Sequence, residues 1–167
     1  MIRPEQSGDI PEIRTLITAA FLGAAFSDGE EATIVDRLRE NNALAVSLVA
    51  ELDGTVVGHV AFSLVAINGI ESNWFGLGPV AVRPDHQRQG IGTRLIEAGL
   101  DLIRSLDAAG CVVLGDPGYY SRFGFRADPS LIFPGVPPEY FQCLDFIDNT
   151  RHGVVVYHDA FYGTQID

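Results

Sequence analysis

Val80-Ala81-Val82-Arg83-Pro84-Asp85-His86-Gln87-Arg88-Gln89-Gly90-Ile91-Gly92-Thr93 is the stretch that decides the fold. Its first three residues are small and apolar, as in a buried strand, and Pro84 stops that strand. A polar loop follows, and Gly90-Ile91-Gly92 opens a run in which Ile91, Leu95, Ala98, Leu102 and Leu106 recur at helical spacing, predicting a helix with that stripe buried. The first turn of a helix carries backbone N–H groups without intrahelical partners, together with the positive end of the dipole. An anionic phosphate fits there, glycines let the backbone approach it closely, and Arg88 adds a full positive charge beside the loop. A Walker-type loop would need lysine followed by serine or threonine after its last glycine, and a dinucleotide fingerprint would need a third glycine where Leu95 stands. What remains is a loop suited to a diphosphate held mainly by backbone amides.

Reading outward, Gly110 ends the helix and Cys111 to Leu114 is a short apolar strand. Strand, helix, strand at this spacing is a crossover unit, so the two strands are expected to be parallel. On the other side, Ala45 to Leu52 and Thr55 to Ile67 flank Asp53-Gly54, and Asn68-Gly69 leads into Ile70 to Val82. Both dipeptides are hairpin signals, which makes the three strands antiparallel neighbours. Gly76, Gly78 and Pro79 sit badly in regular pairing and predict a bulge or splay in the third strand. Asp9 and Glu12 mark a helix start, with the aspartate placed to accept free backbone N–H groups, and Ile13, Leu16, Ile17, Ala20 and Phe21 share one face. A second helix is expected from Asp28 with Ile34, Val35 and Leu38, after a segment from Phe21 to Ser27. Later elements are a short helix around Tyr119 to Arg122, a proline-rich loop from Pro129 to Pro138 and a strand from Val154 to Tyr157. No repeat or linker divides the chain, so residues 1–167 are read as one α/β domain.

Composition narrows the function. With 22 acidic against 11 basic residues the net charge is -11, which argues against a phosphate-backbone binder and hence against a nucleic-acid partner. No apolar run reaches membrane-spanning length and no signal-peptide profile opens the chain, so the expectation is a cytoplasmic protein without a membrane partner. Cys111 and Cys143 stand in no metal-ligand or redox spacing and read as buried, reduced thiols. His86, His152 and His158 likewise have no ligand spacing, and no metal is expected.

The loop is where a resemblance becomes specific. Gln87-Arg88-Gln89-Gly90-Ile91-Gly92 resembles the coenzyme A pyrophosphate signature of the GNAT superfamily of N-acetyltransferases: glutamine or arginine, two variable positions, glycine, any residue, glycine or alanine. It stands where that family places it, after a strand and at the start of a long helix. A second match, Gly115-Asp116-Pro117-Gly118-Tyr119-Tyr120-Ser121-Arg122-Phe123-Gly124-Phe125, resembles the family's tyrosine in a short helix followed five residues later by the aromatic of a glycine-phenylalanine pair. Tyr120 fits that spacing and Tyr119 is displaced by one. The resemblance covers most of the chain and is closest to small bacterial members. It implies a mixed, mostly antiparallel twisted sheet, flanked by helices, with a parallel splayed strand pair in the middle. It implies acetyl-CoA as donor, with pyrophosphate on the amides of Arg88 to Thr93 and with Gln87, Arg122 and Phe123 near the cofactor. Val80, Ala81 and Val82 then form the strand offered to the pantetheine arm. It further implies transfer of an acetyl group to a primary amine of a small molecule or peptide, and members are often homodimers.

The chemistry explains a tyrosine. When an amine attacks a thioester, coenzyme A leaves as a thiolate, and a phenol nearby can donate its proton because thiol and phenol pKa values lie within about two units. By resemblance Tyr120 is that acid. Something must also deprotonate the amine, and Glu30, Glu31, Glu51, Glu71, Asp116 and His59 are all open, although a lone histidine in an apolar run is more often a core residue. The resemblance puts the acceptor site around Phe21 to Glu31, Trp74-Phe75 and Pro137 to Phe141. The competing reading is a non-catalytic coenzyme A-binding module on the same scaffold, which needs no acceptor-sized cleft.

Overall fold

The structure is a computed structural model that describes residues 1–24, 27–147 and 152–162. Of the segment expected between the first two helices, Ala25 and Phe26 lie outside the described residues. In chain order the strands and α-helices are β1 (Ile2–Pro4), α1 (Ile10–Phe21), α2 (Glu31–Glu40), β2 (Val46–Leu52), β3 (Thr55–Ile67), β4 (Ile70–Val82), α3 (Ile91–Ser105), β5 (Gly110–Leu114), α4 (Pro117–Tyr120), β6 (Leu131–Ile132), β7 (Phe141–Asp145) and β8 (Gly153–Val156). The sheet runs β1-β2-β3-β4-β5-β7, with β8 on the far end of β3 and β6 beside β8. It is antiparallel except for β4–β5 and the short β6–β8 pair.

The two hairpin dipeptides do what their chemistry dictates. Asp53 and Gly54 have φ of 50° and 79°, and Asn68 and Gly69 have φ of 53° and 75°. Two consecutive positive φ values match the twist of the flanking strands, so the hairpins close at Leu52↔Thr55 and Ile67↔Ile70, before bulges shift the register further along each ladder. Alternation along these strands divides the core. Leu48, Val60 and Phe62 pack with Ile91, Leu95, Ile96, Leu100 and Ile103 of α3, whereas Val49, Ala61 and Ala81 pack with Ile13, Leu16 and Ile17 of α1 and Val35 of α2. Helices therefore cover both faces of the sheet, as the period-two pattern requires.

Three local expectations are corrected. The buried face of α3 does not include Leu102 and Leu106, which are 37% and 54% exposed. It runs instead through Gly99, where an added Cβ would collide with the Phe62 ring. A glycine leaves no hydropathy mark, so the stripe read from leucines drifts off the true face. Phe62 is fully buried against that gap, a burial worth about 1.5–3 kcal/mol. Gly110 does not end α3: Ser105 is its last residue and Asp107 takes the positive φ of 63°. Gly110 opens β5, where a Cβ would strike the Trp74 ring and come within 2.8 Å of the Leu144 carbonyl. Asp9 does precede α1, but its carboxylate makes no cap bond there. It accepts from Arg3 at 2.7 and 3.1 Å and from the Gln6 amide at 2.7 Å, which ties β1 to the helix entry. Strands β1 and β7 are not among the elements expected from the sequence, and β6 falls inside the loop expected from Pro129 to Pro138.

Candidate active site

β4 is paired with β5 from Trp74↔Gly110 to Leu77↔Val113 and no further. On its other edge β4 continues along β3, but the register steps from Phe62↔Leu77 to Val60↔Val80, so β4 carries one extra residue at Gly78-Pro79. That bulge swings Gly78–Val82 away from β5, as Gly78 and Pro79 foretold. Meanwhile the end of β5 stays with β7 through Leu114↔Phe141. The sheet is thus open between the second half of β4 and the residues after β5, with a cleft at each end of the opening.

The first cleft, about 450 Å³, lies at the start of α3 and is lined by Val82, His86, Gln87, Arg88, Gly90, Ile91, Gly92, Thr93, Tyr119 and Arg122. Gly90 is the N-cap of α3 with φ of 82°; no side chain caps the helix and no acidic residue occupies its first turn. By contrast, the first turns of α1 and α2 hold Glu12 and Glu31. The α3 amides are therefore unclaimed by the described residues, and a Cβ at Gly92 would meet nothing closer than 3.6 Å. Arg88 also has a positive φ, 65°, so the loop bends twice in three residues. Arg88 and Arg122 are the two cations of the lining in a chain of net charge -11. The Arg122 guanidinium stacks 4.3 Å over the Tyr119 ring and donates to the Tyr119 carbonyl at 2.9 Å. Tyr119 Oη lies 2.9 Å from Thr93 Oγ1, which fastens α4 to the start of α3.

The second cleft, about 390 Å³, is walled by Leu77, Gly78, Pro79 and Val80 of β4, Leu114, Tyr120, Phe21, Glu31, Ile34 and the aromatic rings of Phe133, Tyr157, Phe161 and Tyr162. Burial pushes the Tyr120 hydroxyl up to about 12, with Tyr119 and Cys111 adding to it, so the phenol keeps its proton across the physiological range. Gly115 lies against the Tyr120 ring, where a Cβ would collide with it. Asp116 caps α4 by accepting from the Gly118 amide at 2.9 Å.

The expected site residues fall into groups. Val82, Arg88, Gly90, Ile91, Gly92, Thr93 and Arg122 line the first cleft, and Val80 and Tyr120 line the second. Gln87 also borders the first cleft, but its Nε2 donates to the Val82 carbonyl at 3.0 Å, holding the loop to the strand. Gln89 is exposed and belongs to neither lining. The Ala81 side chain is buried against α1, and Phe123 packs on the core beside Tyr119. Of the acidic candidates, Glu51 is 2.8 Å from Arg3, Glu30 is exposed and Glu71 lines a separate cleft. Glu31 alone lines the cleft of Tyr120, with Oε1 accepting from Ser27 Oγ at 2.7 Å. His59 is wholly buried. Cys111 and Cys143 are free and buried, and burial raises the Cys111 thiol well above its usual range, so neither is an exposed nucleophile. Trp74 and Phe75 are core residues, and Pro138 and Phe141 border a different cleft. Their place is taken by Tyr157, Phe161 and Tyr162, which the sequence reading missed. The signal available was the run of three aromatics close behind β8. Among the described residues no group of three or more His, Cys, Asp or Glu side chains could hold a metal ion, and no helix is long and apolar enough to cross a membrane.

The site sets an uncapped helix start beside an opened parallel strand pair, and sequence comparison gives the family. Residues 10–125 match the family model described as acetyltransferase (GNAT) family. The chain belongs to that family. It is 38% identical over 169 residues to the uncharacterized N-acetyltransferase YhbS of Escherichia coli, covering 96% of this chain and 98% of that protein. Among solved structures, it is similar to a GNAT family acetyltransferase from Brucella melitensis in complex with acetyl-CoA, at 50% identity and TM-score 0.87, covering 96% of this chain and 97% of that one. The YhbS structure from Escherichia coli in complex with CoA is similar at 36% identity and TM-score 0.88, covering 97% and 91%.

Proposed function

We propose that the protein transfers an acetyl group from acetyl-CoA to a primary amine by direct attack of the amine on the thioester. The observation that carries the reading is the freed segment Gly78–Val82, which runs from a cleft with unclaimed helix amides to a cleft holding a protonated, half-buried phenol. The first cleft suits the pyrophosphate: its amides are open, its glycines leave space, and Arg88 and Arg122 bring positive charge. Main-chain groups of β4 that β5 no longer pairs suit the amides of the pantetheine arm.

Acetyl-CoA supplies the acyl group as a thioester. In the transfer the amine nitrogen forms the new C–N bond, the C–S bond breaks, and the electron pair of that bond leaves on sulfur. Tyr120 returns a proton to the sulfur, and the proton lost by the amine passes to a carboxylate or water. Burial holds the Tyr120 hydroxyl near 12, so it keeps its proton until the thiolate forms and is not the base. The acceptor-sized cleft beside Tyr120 counts against a module that only binds.

The test is thiol release from acetyl-CoA over a panel of amines, with the acetylated product identified by mass spectrometry and cofactor affinity measured by calorimetry. Turnover with at least one amine and one acetyl group added per thiol released is expected. Tight cofactor binding without turnover for any amine would overturn transfer, and absence of cofactor binding would overturn the site.

A further inference from the structure

Resting on the acetyl-transfer reading, we propose that the cleft beside Tyr120 selects a small primary amine with an apolar, ring-sized body and no acidic group, and that Glu31 holds its ammonium. The cleft is about 390 Å³, near the lower end for small-ligand sites, and it must also admit the thioester. Its far wall is a chain of rings: Phe133 and Tyr157 have centroids 5.3 Å apart, and Tyr157 and Phe161 5.1 Å apart. Phe21 and Ile34 add apolar surface from α1 and α2, with Ile34 and Phe161 in one packed cluster. A flat apolar body is well matched to these walls, and a polar one would lose its water there without compensation.

Charge makes the selection sharper. Glu31 is the one charged side chain among the described residues of the lining; the other ionisable groups are the phenols of Tyr120, Tyr157 and Tyr162. Its carboxylate is oriented rather than free, because Ser27 Oγ donates to it at 2.7 Å while accepting from the Gly29 amide at 3.0 Å. An ammonium entering the cleft meets one fixed counter-charge and gains a charge-assisted hydrogen bond. An amino acid would bring its own carboxylate beside Glu31 with no arginine among the described residues of the lining to receive it. A polyamine would bring a second ammonium with no second carboxylate among the described residues of the lining to receive it. Glu31 therefore acts as a specificity-determining contact, and the proton given up by the amine has an acceptor at the same atoms.

The experiment compares 2-phenylethylamine, L-phenylalanine and spermidine as acceptors, in the unaltered protein and in Glu31→Gln, which preserves the size of the side chain and its bond to Ser27. All eleven basic residues are arginines, so transfer to lysines of the chain itself cannot supply the released thiol. We expect 2-phenylethylamine to be acetylated with the highest kcat/KM, and Glu31→Gln to lower that value about 10- to 100-fold, the range for losing a bond to a charged group. The melting temperature and the calorimetric affinity for acetyl-CoA should stay at the unaltered values. Equal or better turnover of phenylalanine or spermidine, no turnover of 2-phenylethylamine, or an indifferent Glu31→Gln would each overturn the proposal while leaving acetyl transfer standing. Failure of the unaltered protein to bind acetyl-CoA would instead bring down the transfer reading, and this proposal with it.

Discussion

Tyr119 and Tyr120 are consecutive in the chain and stand edge to face, with ring centroids 5.0 Å apart and planes at 86°, yet they border different clefts. One turn of a short helix thus sends two identical side chains to the two ends of the gap between β4 and β5. Tyr119 shares a hydrogen bond with Thr93, and the half-buried Tyr120 ring rests against Gly115. Tyr120→Phe should lower kcat by about 10²- to 10⁴-fold, the usual share of a general acid, with little change in KM for acetyl-CoA. Tyr119→Phe should do the reverse, raising that KM and sparing kcat. Steady-state kinetics on both variants checks the split, and equal losses would contradict it.

Gly92 tests the phosphate loop without disturbing the fold. An alanine Cβ there would sit 3.6 Å from Val82 Cγ2 and 3.8 Å from Tyr119 Oη, ordinary contact distances. It would, however, stand in front of the amides. Gly92→Ala should raise KM for acetyl-CoA about tenfold, equivalent to one lost bond to a charged group, at an unchanged melting temperature.

Gly115 tests how closely Tyr120 is placed. Alanine at this position would collide with the Tyr120 ring and displace it. Since a displacement of about 1 Å in reacting groups costs about 100-fold in rate, Gly115→Ala should lose kcat on that scale while binding acetyl-CoA normally. Calorimetry beside kinetics separates the two.

His59 gives a pH signature. Its Nε2 lies 2.8 Å from Ser47 Oγ, which donates to Glu5 Oε1 at 2.5 Å. A carboxylate only accepts and a hydroxyl has one proton, so the neutral ring must donate from Nε2. Nδ1 is then buried without a partner among the described residues. Burial pulls the ring down to about 4 from 6.5, against the opposing pull of Glu5. The native state therefore binds the proton more weakly than the unfolded chain. Stability should be flat above pH 6.5 and fall as pH drops from 6.5 towards 4, by roughly 3 kcal/mol in all from this group. Urea unfolding across that range should show the slope, and His59→Gln should shallow it.

Where the sequence spoke locally it could be read. Asp53-Gly54 and Asn68-Gly69 fix their hairpins through their own backbone angles, and Gly90-Ile91-Gly92 marks a helix start whose amides no described side chain caps. The splay at Gly78-Pro79 was legible because proline offers no N–H and glycine no side chain. What could not be read depends on distant partners. The face of α3 is set by Phe62 resting on Gly99, two residues from different elements. The ring wall beside Tyr120 comes from residues 157–162, which reach the site because β8 pairs with Ala66 and Ile67 of β3. Glu31 looked like any acidic residue at a helix start, and only the packing of α2 shows which cavity it borders.

The interrupted ladder between β4 and β5 has a consequence for how the protein behaves without its cofactor. A strand flank with free N–H and C=O groups is ordinarily an invitation to other chains, and outer strands must be blunted against that. Here the vacant flank lies inside the sheet, bounded by β5, Leu114 and Tyr120, and not on its outer edge. The fold therefore keeps a ready-made row of peptide groups for a guest away from the outer strands, where edge-to-edge pairing between copies begins.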